Sequence, residues 1–350
     1  MDDLTQSTKI RLGVVDLRLL LELDKSCRES VSNIAKKSRV SQQLASYKIK
    51  NFLDSGLLLS FNSFIDYAKF GYLNFRVYFK INYFSTERFN SLLKELQSHS
   101  TIVEIMECGG KYDLIAVFAS LNPSEFNKRL KELMGKNPSQ LKNYVILTTV
   151  VTHYYDRAYL TPLEKETVNI FRDPEADVII GGDRSTTTVN KKEKSILNLI
   201  QADARLPSIV IGRKIKTDPK AVRRYIKNLR ERGIIKLFRP AYNVQNIGFI
   251  VNKILLKYHN LSVEEEEELL TFCKFNPNIV ELIKVFGEWD LELTVETKSR
   301  EEFRRVYMSI REKFENIISD FESFPVFKTH KKTFLPATMF YRDDAVFKSI

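Results

Sequence analysis

Two stretches of the chain share one pattern of apolar and polar positions. In VRRYIKNLRERGIIK, Val222–Lys236, the apolar residues Val222, Ile226 and Leu229 recur at helical spacing, and the positions between them are basic or polar. ASYKIKNFLDSGLLL, Ala45–Leu59, has the same skeleton 177 positions upstream. A glycine follows the helical pattern in each stretch, as is common at the end of a helix. The pattern predicts two helices, each with one buried face and one face open to a partner.

The repeat extends well beyond these two helices. A shift of 177 residues aligns the chain with itself without a gap over about 150 residues. IKNFLDSG, Ile49–Gly56, falls on IKNLRERG, Ile226–Gly233, with four of eight positions identical. Ile102–Leu114 falls on Ile279–Leu291 and keeps the triplet IVE, a glycine, an aspartate and a leucine. The chain is therefore predicted to contain a duplicated two-part unit.

Each unit begins with three helical patterns and a short strand-like pair. Ser41 and Asp218 precede the third helical pattern of their units and are good N-cap residues. After the helices come LLLSFNSFID in the first unit and IIKLFRPAYN in the second, which we interpret as β-hairpins. Three helices and a β-hairpin predict a winged helix-turn-helix in each unit.

The rest of each unit alternates strand and helix in the order βαββαβ, which is the ferredoxin-like arrangement. The predicted fold class is α+β, with two tandem units. Between them, residues 161–190 contain two prolines, a glycine pair and a Ser/Thr run, which favours a linker with one short ordered piece. The predicted domains are winged helix-turn-helix 11–65, ferredoxin-like 66–160, linker 161–188, winged helix-turn-helix 189–242 and ferredoxin-like 243–340.

The net charge of the whole chain is +11, and the basic residues are concentrated in one part of it. Residues 188–240 have fifteen Lys/Arg and four Asp/Glu (15 − 4 = +11), and the equivalent residues 11–63 have nine and five (9 − 5 = +4). This local basic character favours a polyanionic partner for the helix-turn-helix part. The three cysteines are widely spaced, and neither a signal peptide nor an 18-residue apolar run is present, so a cytoplasmic protein is expected.

The chain resembles the leucine-responsive/asparagine-synthesis regulator family (Lrp/AsnC) on two kinds of motif. One is the helix skeleton at Ala45–Leu58 and Val222–Ile235, and the other is a G-x-x-D hairpin in GKYDL and GEWDL. The resemblance implies double-stranded DNA as partner and ferredoxin-like domains that dimerise and bind a small effector such as an amino acid. The effector-site residues that it implies are Gly110, Asp113, Gly287 and Asp290. The alternative is that these residues only form a tight turn.

The solvent faces of the third helices are the predicted DNA-binding surfaces. The expected contacts in the second unit are Lys220, Arg223, Arg224, Lys227 and Arg230. Arginines of this kind neutralise phosphates or bind guanine edges with two hydrogen bonds. The expected contacts in the first unit are Gln42, Gln43, Ser46, Tyr47 and Lys50. Glutamine can bind adenine edges, although this helix could also be a scaffold without DNA contact.

The sequence departs from the resemblance in two respects. The family usually has one unit per chain, and the arginine common before the central aliphatic residue is Lys48 or Tyr225 here. Two units predict intramolecular pairing as a pseudo-dimer and further homo-oligomerisation, and their unlike recognition helices predict an asymmetric operator. The alternative function is a fused siroheme-decarboxylase-like enzyme with a tetrapyrrole between the sheets. Only four histidines are present, and no phosphate-binding loop, nucleophile elbow or zinc spacing occurs, so we expect no catalytic residue, metal or cofactor.

Overall fold

The computed structural model describes residues 10–82, 85–161, 177–183, 185–259 and 261–341. The first unit contains α1 Val14–Lys25, α2 Val31–Lys37, α3 Gln42–Asp54, β1 Leu58–Ile65, β2 Leu73–Ile81, α4 Thr86–Ser98, β3 Ile102–Cys108, β4 Leu114–Ser120, α5 Pro123–Lys136 and β5 Leu141–Tyr154. The next elements are β6 Val178–Gly181, α6 Lys191–Ala202, α7 Ser208–Ile215, α8 Pro219–Glu231 and β7 Ile235–Tyr242. The last are β8 Ile250–Tyr258, α9 Val263–Phe275, β9 Ile279–Phe286, β10 Leu291–Thr297, α10 Arg300–Lys313, β11 Ile318–Lys332 and α11 Thr338–Tyr341. The α+β class and the duplicated order of elements are confirmed.

The third helix of each unit, α3 or α8, is its recognition helix. The Ser41 hydroxyl accepts a hydrogen bond from the Leu44 N–H (3.1 Å), and the Asp218 carboxylate accepts one from the Lys220 N–H (2.7 Å). Each bond satisfies an N–H that has no partner inside the helix. The buried residues of the two helices are Ala45, Ile49 and Phe52, and Val222, Ile226 and Leu229. The predicted buried face of α8 is therefore correct.

The prediction of a β-hairpin after each recognition helix is wrong. Each segment forms one eight-residue strand, and β1 pairs with β7 antiparallel across the two units. Neither segment has a central glycine pair or Asn-Gly turn, which a two-residue hairpin favours. The strands therefore continue without reversing, and each finds its partner in the other unit.

The two helix-turn-helix domains are joined around a pseudo-two-fold axis. In the β1–β7 pair, Asn62 lies opposite its own repeat equivalent, Arg239 (62 + 177 = 239). Reciprocal backbone hydrogen bonds flank this point: the Cys27 N–H donates to Phe238, and the Ala204 N–H donates to Phe61, both at 2.8 Å. Because residues of one unit bond to the strand of the other, the pair of domains is a single packed body.

The ferredoxin-like parts form one continuous sheet. Within each unit the strand order is β5-β2-β4-β3 or β11-β8-β10-β9, as expected for βαββαβ. Between units, β11 pairs with β3 and β5 pairs with β9, which closes eight strands into a ring. Helices α4 and α5 cover the outer face of the first half, and α9 and α10 cover the outer face of the second. The inner faces of the two halves therefore meet.

Part of the predicted linker is ordered. Residues 162–176 lie outside the described residues, whereas 178–181 form β6, which pairs with the end of β5. The Gly181 N–H donates to the Asp66 carboxylate at 3.1 Å. This strand therefore packs against the first unit before the second unit begins.

Candidate nucleic-acid interface

The second recognition helix exposes a dense basic face. All five residues predicted for DNA contact in this helix are exposed: Lys220, Arg223, Arg224, Lys227 and Arg230. The ion pair between Lys227 and Glu231 joins two exposed side chains at 3.6 Å, so it contributes little stability. Exposed arginine side chains can neutralise phosphates or bind base edges.

The first recognition helix exposes a mostly neutral face. The five residues predicted here are also exposed: Gln42, Gln43, Ser46, Tyr47 and Lys50. Leu44 adds an exposed apolar side chain between them. Lys48 instead lies 2.9 Å from Asp16 of α1 and is half-buried, so it fixes the helix to its own domain. The two recognition helices thus present different chemistry on the same frame, and DNA contact by each remains a prediction.

The second recognition helix borders the first unit. Arg223, Lys227 and Arg230 line one surface groove together with Arg28 and Glu29 of the first unit. The Arg28 guanidinium lies 5.6 Å from the Phe238 ring and donates to the carbonyls of Ala204 and Leu206. The first unit therefore contributes to the surface beside the basic helix, which the repeat alignment alone could not show.

A second basic group lies at the turn before each recognition helix and was not predicted. It consists of Lys36, Lys37 and Arg39 in the first unit and Arg213, Lys214 and Lys216 in the second, all exposed. The available signal was the repeat itself, because the three positions of one unit align with those of the other at the 177-residue shift.

The two G-x-x-D hairpins form tight turns with matching contacts. The Asp113 carboxylate accepts hydrogen bonds from the Ile81 N–H (2.8 Å) and the Lys80 ammonium (3.0 Å). The Asp290 carboxylate accepts them from the Tyr258 N–H (2.9 Å) and the Lys257 ammonium (3.1 Å). Gly110 and Gly287 both have positive φ, at 79° and 148°. The turn role is therefore present in both units, and the effector role remains a prediction.

The hairpins also meet each other at one end of the ring. Tyr112 and Trp289, which are repeat equivalents, are both buried there. The Lys111 ammonium lies 5.1 Å from the Trp289 ring and 3.8 Å from Glu288. Each hairpin therefore contributes to a contact between units.

An ionic network fills the space between the two sheet halves. Arg76 donates two hydrogen bonds to Glu292, both of 2.8 Å, and the Lys253 ammonium lies 3.1 Å from Glu281. The Lys332 ammonium lies 3.0 Å from the Glu104 carboxylate and 3.1 Å from the Glu281 carboxylate, so it bridges the two. The three cations and three carboxylates balance in charge. Although burial opposes its ionisation, the pKa of Glu292 is below its usual value because Arg76 and Lys253 stabilise the carboxylate.

A second, largely buried cluster joins the first helix-turn-helix to the second ferredoxin-like domain. Arg157 donates hydrogen bonds of 3.0 and 2.9 Å to Glu296 of β10, and it lies 3.5 Å from Asp24 of α1. The Arg239 guanidinium lies 3.4 Å from Asp24, and the Tyr159 hydroxyl donates to Glu296. We call these five residues the ionic junction. It lies on one side of the pseudo-two-fold axis, because the repeat equivalent of Glu296 is Ala119 and that of Arg157 is Phe334.

Three histidines have separate side-chain partners. His153 lies 3.1 Å from Asp177, His330 lies 2.8 Å from Glu107, and His99 contacts Thr101 at 3.1 Å. Burial lowers the pKa of His99 to about 4, and nearby cations add to this effect. No cluster of three His, Cys, Asp or Glu side chains that could ligate a metal ion occurs within the described ranges. In the same ranges, every helix is too short or too polar to cross a membrane.

Comparison with known proteins places the chain among DNA-binding proteins. The winged helix-turn-helix DNA-binding family matches residues 189–236. The HTH-type transcriptional regulator Ptr1 of Methanocaldococcus jannaschii is 34% identical over 102 residues, which are 29% of this chain and 68% of that protein. The transcriptional regulator AzlB of Bacillus subtilis is 31% identical over 120 residues, which are 33% of this chain and 74% of that protein.

A solved structure is similar over nearly the whole chain. The crystal structure of the siroheme decarboxylase NirDL superposes with a TM-score of 0.60 and 13% identity, covering 94% of this chain and 96% of that one. At this identity the likeness shows a shared two-unit fold and nothing of the chemistry.

The duplicated helix-turn-helix and these relatives define the class of the protein, a DNA-binding transcription regulator. The chain belongs to the Lrp/AsnC family.

Proposed function

We propose that this chain acts on DNA as a single-chain pseudo-dimer with two unlike reading heads. The observation that supports it most is the contrast between α8 and α3. Helix α8 of the second unit exposes five cations toward solvent. Helix α3 of the first unit exposes one lysine together with Gln42, Gln43, Ser46 and Tyr47. Cross-unit pairing of β1 with β7 joins the heads at a fixed separation, so the preferred operator is asymmetric. Such a regulator works in the cytoplasm.

A salt titration of DNA binding tests the proposal. Each neutralised phosphate adds about 0.9 to the slope of log affinity against log salt. Replacing Arg223, Arg224 and Lys227 with alanine therefore lowers the slope by about 2.7 and affinity on the order of 100-fold at 0.15 M salt. The matched variant, with Gln42, Gln43 and Ser46 replaced by alanine, keeps the slope and loses affinity for one half-site only.

Two outcomes of the salt titration would contradict the proposal. If the first triple variant binds DNA with unchanged affinity and slope, α8 is not a DNA-binding helix. If both variants lose the same affinity for both half-sites, the two heads are alike in function and the asymmetric operator is wrong.

The effector response is proposed for the second hairpin. Lys257, Tyr258, His259 and Asp290 line an open depression at the end of β8, where the first unit has Lys80, Ile81, Asn82 and Asp113. A cation beside a carboxylate, which suits the two charges of an amino acid, is present in both units, but Tyr258 and His259 accompany it only in the second. Asp290→Ala therefore removes an amino-acid-dependent change in DNA binding and Asp113→Ala preserves it. Equal responses in both variants would leave the hairpins a turn role only.

The enzymatic alternative rests on the shared fold with the siroheme decarboxylase. A tetrapyrrole between the sheet halves would have to displace Arg76, Tyr78, Lys253 and Glu292, all of which are buried and bonded to one another. We therefore favour DNA binding. Mixing the protein with an iron tetrapyrrole and recording the visible spectrum tests the alternative, which a stoichiometric spectral shift would support.

A further inference from the structure

The turn before each recognition helix has an unusual backbone conformation. Arg39 and Lys216 have φ angles of 57° and 51°, and they are the two non-glycine residues with positive φ among those described. They are repeat equivalents, because 39 + 177 = 216. A Cβ atom crowds the neighbouring carbonyl oxygen in this conformation, so glycine or asparagine is favoured there. Both units nevertheless have a long cationic side chain at this position.

Each of these residues is accompanied by two more exposed cations. Lys36 and Lys37 lie in the last turn of α2, and Arg213 and Lys214 lie in the last turn of α7. Lys37 pairs with Glu29 at 2.7 Å. Among the described residues, no ion pair joins a carboxylate to the other five cations, Lys36, Arg39, Arg213, Lys214 and Lys216.

The charge of these turns is maintained in both units although that of the recognition helices is not. Residues 41–55 have two Lys/Arg and one Asp/Glu (+1), whereas residues 218–232 have six and two (+4). The turns, by contrast, have three cations each. A requirement of the winged helix-turn-helix fold would favour glycine at the left-handed position and would not select charge. The two turns therefore share a cationic surface that the fold alone does not require.

We propose that the two turns are phosphate clamps, one in each unit, with Arg39 and Lys216 as their central contacts. Each residue lies two positions before the N-cap of a recognition helix, Ser41 or Asp218. The partial positive charge at the start of a helix adds to the attraction for a phosphate, most of all at α3, where the cap is neutral. The inference rests on the proposed DNA-binding function. It gives the first unit a direct share in DNA affinity although its recognition helix is almost neutral.

Substitutions at Arg39 and Lys216 separate charge from backbone conformation. Alanine removes the charge and leaves the Cβ atom, glycine removes both, and the exchanges Arg39→Lys and Lys216→Arg keep both. At either position, alanine and glycine should lower affinity for a random-sequence duplex about fivefold at 0.15 M salt and the salt slope by about 0.9. The charge-keeping exchanges should bind as the parent protein does. The glycine variants should melt no lower than the alanine variants.

The measurement is fluorescence anisotropy of a labelled duplex with the full chain at several salt concentrations, with thermal melts of each variant. Lys128→Ala removes an exposed cation from α5 of a ferredoxin-like domain and should change neither slope nor affinity. If the parent protein does not bind DNA, the proposed function itself fails. If the parent binds and the alanine and glycine variants keep its slope, the clamp alone is refuted. An affinity loss that follows melting temperature instead of charge would also refute it.

Discussion

The two helix-turn-helix units have the same elements, but they are attached to the rest of the molecule in different ways. Asp24 of the first unit enters the ionic junction with Arg157 and Arg239. Its equivalent, Gln201, makes two neutral hydrogen bonds with the Leu335 backbone, at 3.2 and 2.8 Å. At this pair of equivalent positions the first unit thus has a charged contact and the second a neutral one, whereas the recognition helix is nearly neutral in the first unit and basic in the second. After duplication, equivalent positions of the two units can therefore diverge, with charged packing contacts on one side and a basic recognition helix on the other.

The same contrast continues in the equivalent strands β4 and β10. Strand β4 (LIAVFAS) is apolar and buried, whereas β10 (LELTVET) has three buried polar residues in alternation, Glu292, Thr294 and Glu296. Glu292 binds the central network, and Glu296 binds the ionic junction. Strand β10 begins directly after Asp290 of the second hairpin. One strand therefore connects the candidate effector site to the first DNA-binding head.

Loss of Glu296 should have the largest effect on this contrast. Glu296→Ala leaves Arg157, whose side chain is 15% exposed, without its two-bond partner, and breaking a largely buried pair in this way costs up to about 3–5 kcal/mol. The matched change on the other side, Gln201→Ala, removes neutral hydrogen bonds and should cost about 1 kcal/mol. Denaturant unfolding of both variants measures the difference.

A rescue variant distinguishes the ion pair from simple packing. Glu296→Leu combined with Arg157→Met replaces the pair by apolar side chains of similar size and should recover most of the lost stability. Equal destabilisation by Glu296→Ala and Gln201→Ala would show that the two attachments do not differ in strength.

The sequence predicts the fold well because helical periodicity is visible within a short stretch and the repeat is visible when the chain is aligned with itself. It does not predict the ionic junction or the central network. Alternating Glu and Thr in LELTVET indicates a strand with one face in water. The face is buried only because the other half of the ring covers it, and Arg76, which binds Glu292, is 216 residues away. The hairpin prediction failed for a related reason, since a strand can pair with a distant strand as well as with its neighbour.

The central network should make stability depend on acid pH. Burial opposes ionisation of both Glu281 and Glu292, but neighbouring cations lower the pKa of each below its usual value near 4.5. A carboxyl group with a lowered pKa stabilises the folded state above about pH 4.5, and that stabilisation is lost as pH falls below it. Glu292→Gln should cost roughly 2–3 kcal/mol near neutral pH and make the acid dependence shallower.

Urea unfolding between pH 3 and 7 measures this effect, on the order of a few kcal/mol across the range. Glu267→Gln, an exposed glutamate of α9, is the control and should leave the profile unchanged. An identical acid profile in the Glu292 and Glu267 variants would show that the network does not control acid stability.

The smallest effect is expected where the two hairpins meet. Lys111 and Glu288 are 3.8 Å apart, with side chains 41% and 49% exposed, and exposed pairs contribute about 0–1 kcal/mol. Lys111 also lies over the Trp289 ring, a contact worth about 0.5–1 kcal/mol at exposed sites. Lys111→Met should therefore cost more than Glu288→Gln, and only the cost of the latter should vanish in high salt. A double-mutant cycle in urea measures the coupling between the two residues. A coupling above about 1 kcal/mol would mean that the hairpins are joined by this ion pair and not by the buried Tyr112 and Trp289.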